Sequence, residues 1–451
     1  MGSGEILKIG FVTCVHPIYN LPAVVRHQEE AIAGLRAAGC SVNAPAIARG
    51  PEDVSKIVEE LKKENIDLLL FFFCTWIAEE ITLSIAQELA HVPLLLWALP
   101  YLDLSIPMPS PMTGITSTGC NLRRAGRSYL HRVSAVTPEG IQAVARVARN
   151  AAIVRSLQQA RFGIFGSACP GMIDTVGDDL LLQKKLGLTP IRLDMESLLR
   201  AREASSFEEA LQLAQGLKER AGRSEVALEV IADQYRLYLG MRSLLREHRL
   251  VGFCVRCWPE LRDQHKTTIC LTMAEMAESG IPSACEADLT ALVTAYILSA
   301  LAGQPSCTLE ITAYLEEQNA LQLAHCGSAA MSLGGNPACT VIRGHMRTGT
   351  GAMIELALKP GQVTIAKLLR PFEDSLKMFV GRGEIVPTPP GTRGSVATIR
   401  VEPSPRQFLQ TMLDEAVEHH LVIVYGDWTE DLMQCAHFAG IEILPAARRT
   451  R

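Results

Sequence analysis

Several features are missing from this 451-residue chain, and each absence removes a class of protein. No block of Lys or Arg is long enough to follow a phosphate backbone, and the formal charge is only -5, so nucleic acid is excluded as a main partner. The longest apolar run, "IDLLLFFFCTWIA", falls short of the roughly 20 residues that a membrane helix needs. It reads as a buried strand, and no membrane partner is expected. The chain does not open with a basic segment followed by an apolar one, so no export signal is read, and the early "GSG" is taken as a leader without structural weight. Repeats and low-complexity tracts are lacking too. "GSACPGM" and "GRGEIVPTPPGTRG" are rich in glycine but match neither the phosphate-loop nor the dinucleotide fingerprint, and read as loops. Only one close cysteine pair occurs, Cys254 and Cys257 in "CVRCW". A single such pair inside an apolar run reads as structural thiols, not as a zinc or redox motif.

What is present is the composition of an enzyme-sized soluble protein, with 48% apolar and 20% charged residues and far from the signature of disorder. At this length two or three domains are expected. Thirteen cysteines, an odd number scattered through apolar segments, suit reduced thiols and a cytoplasmic location better than a disulfide framework.

The first third alternates near-continuous apolar runs with amphipathic ones. "ILKIGFVTCV", "IDLLLFFFCT" and "VPLLLWAL" read as strands, and "PAVVRHQEEAIAGLRAAG", "PEDVSKIVEELKKEN" and "IAEEITLSIAQELAH" as helices. This predicts a parallel sheet covered on both faces, a doubly wound, Rossmann-like α/β domain over residues 1–160. The pattern restarts at "RFGIFGSA" and predicts a second such domain over 161–303. Beyond it, short β-like runs separated by Gly and Pro clusters predict a β-rich antiparallel sheet or barrel over 304–451.

The chemistry concentrates where apolar runs end in polar groups. "IPSACE" closes on Glu286 just before the helix-like "DLTALVTAYILSALAG", and Asp288 suits the cap of that helix. Functional groups of open parallel sheets gather past the carboxyl ends of the strands. "SCTLEITAYL" then carries Glu310, and "ALQLAHCGSAA" carries His325. Each of these alone is as readily a cap, a turn residue or a satisfied core histidine. Together, two carboxylates and an imidazole suit a divalent ion such as Mn²⁺, Mg²⁺ or Fe²⁺ better than a structural zinc. Such an ion would offset the cost of burying two carboxylates close together.

These segments resemble the aldose–ketose isomerases typified by L-fucose isomerase and L-arabinose isomerase. "RFGIFGSACPGMIDTVGDDLLLQKKLGLTP", with Arg161, Phe162, Gly163, Gly177, Asp178 and Gly187, is similar to the opening of their middle domain. "ACEAD", "LEITAYL" and "LAHCG" resemble their acidic and first histidine motifs, and "AVEHHLVIVYGDWTEDLMQCAHFAGIEILP" their closing strand–helix–strand. The similarity touches all three expected domains.

The resemblance implies that Glu286 and Glu310 are both metal ligands and acid/base groups, and that His420 completes the site. His325 matches the further histidine ligand of the arabinose branch. His419 is the neighbouring alternative to His420; the step from His420 to Gly426 matches the fucose-type spacing. The implied cofactor is Mn²⁺ or another divalent cation such as Mg²⁺, Fe²⁺ or Co²⁺. The implied reaction moves a proton between C1 and C2 of an open-chain sugar through a cis-enediol. A homotrimer or homohexamer is implied, with the pocket shared between subunits and with His16, Tyr19, Trp76, Asn121 and Arg123 as substrate contacts. "NLRRAG" departs from a neutral lining, and Arg123 or Arg124 can pair with an anionic group such as a 6-sulfonate. The expected substrate is therefore a modified hexose such as sulfoquinovose, or else L-fucose, L-arabinose or D-arabinose. The alternative is a non-catalytic sugar-binding or sensing protein, which would not need Glu286, Glu310 and His420 together.

Overall fold

The computed structural model describes residues 6–19, 21–370, 375–388 and 393–446. The "GSG" near the start and part of the "PTPPGTRG" loop lie outside them. The chain forms two compact units, one of Met1–Ser156 with Asp431–Gly440, the other of Leu157–Glu430 with Ile441–Arg451.

The first unit is built on strands β1 (Leu7–Cys14), β2 (Cys40–Asn43), β3 (Leu68–Phe73), β4 (Leu94–Ala98) and β5 (Leu130–Val133). They form one parallel sheet in the order β2-β1-β3-β4-β5. Strand β3, "LLLFFF", is buried at every residue, and its alternation splits it between two cores. Leu68, Leu70 and Phe72 pack with Val24, Leu35 and Val144 from two helices, whereas Leu69, Phe71 and Phe73 pack with Ile57, Ile81, Ile85 and Ile115 from three others. Both faces of the sheet are therefore covered, as an apolar strand without polar alternation requires. The helix Thr429–Ala439 joins this unit from far along the chain. Its buried Asp431 pairs with Arg146 at 2.6 Å and accepts from Asn150 at 2.9 Å.

In the second unit the strands are β6 (Arg161–Phe165), β7 (Thr189–Leu193), β8 (Arg223–Ser224), β9 (Gly252–Val255) and β10 (Ser283–Cys285), followed by a longer β-rich series. That series comprises β11 (Cys307–Leu315), β12 (Ala320–His325), β13 (Val341–Arg343), β14 (Met353–Ala357), β15 (Gly361–Leu368), β16 (Lys377–Val386), β17 (Ser395–Val401), β18 (His420–Tyr425) and β19 (Glu442–Pro445). Strands β10-β9-β6-β7 make a parallel sheet. The remaining ten make a mixed, largely antiparallel sheet. Within it β16-β15-β18-β11-β12-β17 pair antiparallel in turn, and β17 pairs back with β16. The six strands thus close on themselves, which leaves no free edge among them. An α/β protein with two parallel sheets and a C-terminal antiparallel sheet is what the strand patterns predicted.

Phe72 tests the first core. Its ring lies 5.4 Å from Phe11 and 4.8 Å from Trp97, centroid to centroid. Phe72→Ala is expected to cost about 3–5 kcal/mol, read as a lower midpoint in urea unfolding.

Candidate active site and metal centre

Glu286 follows β10 directly and is buried with its carboxylate. It and Ala287 adopt φ of 61° and 58°, two successive left-handed residues that are not glycine. Such backbone costs on the order of 1–3 kcal/mol per residue and persists where the surroundings enforce it. Here Asp288 supplies the enforcement. It caps the helix Leu289–Ala302 through one oxygen, which accepts from the Ala291 amide and the Thr290 hydroxyl, both at 2.8 Å. Its other oxygen accepts from Lys367 Nζ at 2.6 Å and His420 Nδ1 at 3.0 Å. Burial would raise the Asp288 pKa, but the Lys367 charge and the His420 contact outweigh it and hold the carboxyl far below its usual range.

The barrel contributes three further groups from adjacent strands at one end. His420 begins β18 and stands directly opposite Glu310 on β11, so the two share a face. The β11 ladder is irregular immediately after Glu310, between Ile311 and Ala313, the kind of bulge that re-aims side chains beside active sites. His325 ends β12, and its ring centroid is 5.6 Å from that of His420.

The electrostatics separate the two neighbouring histidines. His419 Nδ1 donates to Asp174 and its Nε2 lies 3.3 Å from Glu286 Oε2. Burial works against protonation, yet the hydrogen bonds to Glu286 and Asp174 raise its pKa to about 9. Both of its nitrogens are engaged. His420 donates from Nδ1 to Asp288, which fixes its tautomer, and its Nε2 is buried with no hydrogen-bond partner among the described residues, 3.5 Å from Glu286 Oε2. A bare imidazole nitrogen oriented by a carboxylate on its far side is the arrangement of a metal-ligating histidine. His325 Nδ1 is likewise buried and unpartnered, and burial together with His420 pushes its pKa down to about 4, so it is a neutral donor.

Two overlapping groups among the described residues can hold an ion, Glu286 with His419 and His420, and Glu286 with Cys285 and His325. Within each the ligand atoms lie within 4.8 Å of one another. Burial pushes the Glu286 carboxyl up, but the hydrogen bond from His419 and the electrostatic influence of the neighbouring imidazoles hold it below its ordinary value. A hydrogen bond with Cys257 opposes it, yet burial and the Glu286 charge push the Cys285 thiol up to about 12. A carboxylate and the bare imidazole nitrogens of His325 and His420 fit a divalent cation.

The sequence-derived residues divide by place. Glu286, His325 and His420 are brought together. Glu310 lines the same pocket as Glu286 and His325 but belongs to neither ion-holding group. His16, Tyr19 and Trp76 form a cluster of their own in the first unit. His16 stacks on Trp76 at 4.3 Å between centroids, and the Tyr19 hydroxyl donates to the Met108 carbonyl at 2.6 Å. Asn121 is half-buried and Arg123 exposed on the helix Pro111–Arg124. Cys254 is buried in β9, and Cys257 lies against Cys169 and Cys285, all as free thiols. The sequence reading missed Asp174, Lys367, Arg262, His345 and Arg347; none follows a strand-end acid or histidine motif.

Residues 323–445, which include His325 and His420, match the model of the L-fucose isomerase C-terminal domain. The resemblance read from the motifs is borne out: over these residues the chain is similar to the L-fucose isomerases. More particularly, it is 23% identical over 438 residues to the sulfoquinovose isomerase of Priestia megaterium, covering 94% of this chain and 96% of the relative. It is 22% identical over 404 residues to the sulfoquinovose isomerase of Alkalicoccus urumqiensis, with 87% and 89% covered. A periplasmic solute-binding protein of Actinobacillus succinogenes solved with D-allose aligns at 10% identity over 66% of this chain and 92% of that one, with a TM-score of 0.18. That likeness carries no argument. Among the described residues no helix is long and apolar enough to cross a membrane.

The buried Asp288–Lys367 pair is testable apart from activity. Asp288→Ala would leave the Lys367 charge uncompensated in the interior and is expected to cost about 3–5 kcal/mol. Combined with Lys367→Met it should cost less than the sum of the two single changes, as measured by urea unfolding of all three variants.

Proposed function

We propose that this protein is a divalent-metal-dependent aldose–ketose isomerase whose substrate is a 6-sulfonated aldose, sulfoquinovose, converted to 6-deoxy-6-sulfofructose through a cis-enediol. That it is an aldose–ketose isomerase follows from the domain match and the curated relatives together. The observation that carries the metal reading is the buried, unpartnered Nε2 of His420, held toward Glu286 by the hydrogen bond on its other nitrogen.

Glu286, His420 and His325 would hold the ion, with Glu310 facing the same pocket, and the bound cation would supply Lewis-acid polarisation of the sugar's O1 and O2. Mn²⁺ suits this oxygen and nitrogen set, as do Mg²⁺, Fe²⁺ and Co²⁺. The chain's own residues do the rest. Of the two glutamates, one takes the proton from C2 and returns it to C1, while the other carries the proton between the hydroxyls. Glu286, kept ionised by its histidine neighbours, suits a base that must be charged at neutral pH. Asp288 keeps the His420 tautomer constant through the cycle.

The further proposal is a homotrimer or homohexamer in which the first unit of a neighbouring subunit closes the pocket, bringing His16, Tyr19, Trp76, Asn121 and Arg123 toward the sugar. Its support is an apolar rim near His16 and Tyr19, where Ile18 is 68% exposed, Leu104 85% and Met108 79%. Exposed apolar groups gathered in one region mark interaction sites. Leu104→Asp with Met108→Asp is expected to shift the protein to smaller species in light scattering and to lower kcat/KM. A protein that stays the same size would remove this support.

The reaction is tested by incubating metal-stripped protein with sulfoquinovose in D₂O, with and without Mn²⁺. Mn²⁺-dependent deuterium uptake at C2 and ketose formation are expected, reduced by roughly 10³-fold or more in Glu286→Gln as the nucleus of the site is removed. Exchange that proceeds without any divalent ion would refute the metal reading.

A further inference from the structure

The pocket that holds Glu286, Glu310 and His325 has a second chemical character. Its lining also includes Trp258, Arg262, His345 and Arg347. The Arg262 guanidinium lies over the Trp258 ring, 4.7 Å from its centroid, and bonds to Asp263 at 2.6 and 3.1 Å. That carboxylate pairs with the Arg262 charge. Arg347 differs, for it sits in the exposed turn after β13 and, among the described residues, pairs with no carboxylate. Burial first, and then the nearby Arg262 and Arg347, lower the His345 pKa, so both guanidinium groups bear on one imidazole. Arg347 lines the same pocket as Glu286, Glu310 and His325, which puts its charge within reach of the ligand group.

An unpaired guanidinium beside a pocket that already holds two carboxylates has a clear use. The carboxylates would repel an anionic sugar, and a cation with five donors on the same wall counters that repulsion and recognises oxyanions through its fork. We propose that Arg347, with Arg262 and His345 beside it, is the subsite that receives the sulfonate of the substrate, at the end of the sugar remote from its reacting C1–C2 pair. The proposal rests on the reading of the substrate as a 6-sulfonated aldose. It also moves the anion-binding role from Arg123 and Arg124, which are exposed on a helix of the first unit, to a residue of the pocket itself.

The test compares the affinities of Mn²⁺-loaded protein for sulfoquinovose and for 6-deoxyglucose, its counterpart without the sulfonate, by calorimetric titration. The wild type should prefer the sulfonated sugar. In Arg347→Gln that preference, expressed as the ratio of the two dissociation constants, is expected to fall by about 10–100-fold, the scale of one lost charge-assisted contact. Arg347→Lys should restore part of it, because it returns the charge without the planar fork. The turn is exposed, so the urea midpoint of these variants should match the wild type and exclude misfolding as the cause. An undiminished preference in Arg347→Gln overturns this subsite and leaves the substrate reading standing. A wild type without preference for the sulfonated sugar overturns both.

Discussion

The second unit depends on one carboxylate. Asp288 is 1% exposed and bonds to Lys367, which is fully buried. Neither charge is tolerable there alone, since an isolated ion in a protein interior costs several kcal/mol even after relaxation. The carboxylate is satisfied four times over, by a helix amide, a hydroxyl, an ammonium and an imidazole. It also sits at the N-terminus of a helix, where negative charge is favoured. Because Asp288 follows β10 whereas Lys367 is on β15 and His420 on β18, this single group ties the parallel sheet of the unit to its antiparallel barrel. A hydrophobic pair would be at least as stable, but it would fix neither the register of that junction nor the tautomer of His420.

The strained backbone belongs to the same device. A strand that ran straight into the helix would leave no room for the left-handed pair at Glu286 and Ala287. The cap at Asp288 fixes where the helix starts and the Lys367 contact fixes where Asp288 lies, so the two intervening residues absorb the mismatch. The result is a carboxylate delivered toward three imidazoles that come from the barrel. Such rigidity would suit a metal site, whose ligands have to be held close to their working geometry before the ion arrives.

How much of this was legible depended on whether the signal was local. Strand β3 could be read because six apolar residues in a row admit only a doubly covered strand, and Glu286 could be read because a strand-end acid followed by a capping Asp is a pattern within three residues. Strand β5, "LHRV", could not, because its half-exposed alternation is too short to rise above loop, and two-residue β8 exists only through its pairing with β13. The return of Thr429–Ala439 to the first unit rests on Arg146 and Asn150 meeting Asp431, some 280 positions later, which no periodicity reports. The motif spacing favours His420 over its neighbour His419, and the three-dimensional partners of the two differ. One has carboxylates on both nitrogens and the other keeps a nitrogen bare.

The same limit explains why the sequence points to "NLRRAG" as an anion site. Adjacent arginines announce themselves in a sequence, whereas Arg262 and Arg347 are 85 positions apart and come together only as lining of one pocket. Their chemistry is complementary to that of the ligand group. The same pocket is lined by Glu286 and Glu310, suited to hold a cation, and by Arg347, whose guanidinium pairs with no carboxylate among the described residues. A sugar that reacts at one end and bears a permanent negative charge at the other would be oriented by both at once, since reversing it would set its sulfonate against Glu286 and Glu310 and leave Arg347 unpaired. Orientation of that kind costs the enzyme no additional moving part. It would follow from the signs of the charges already present on the pocket wall.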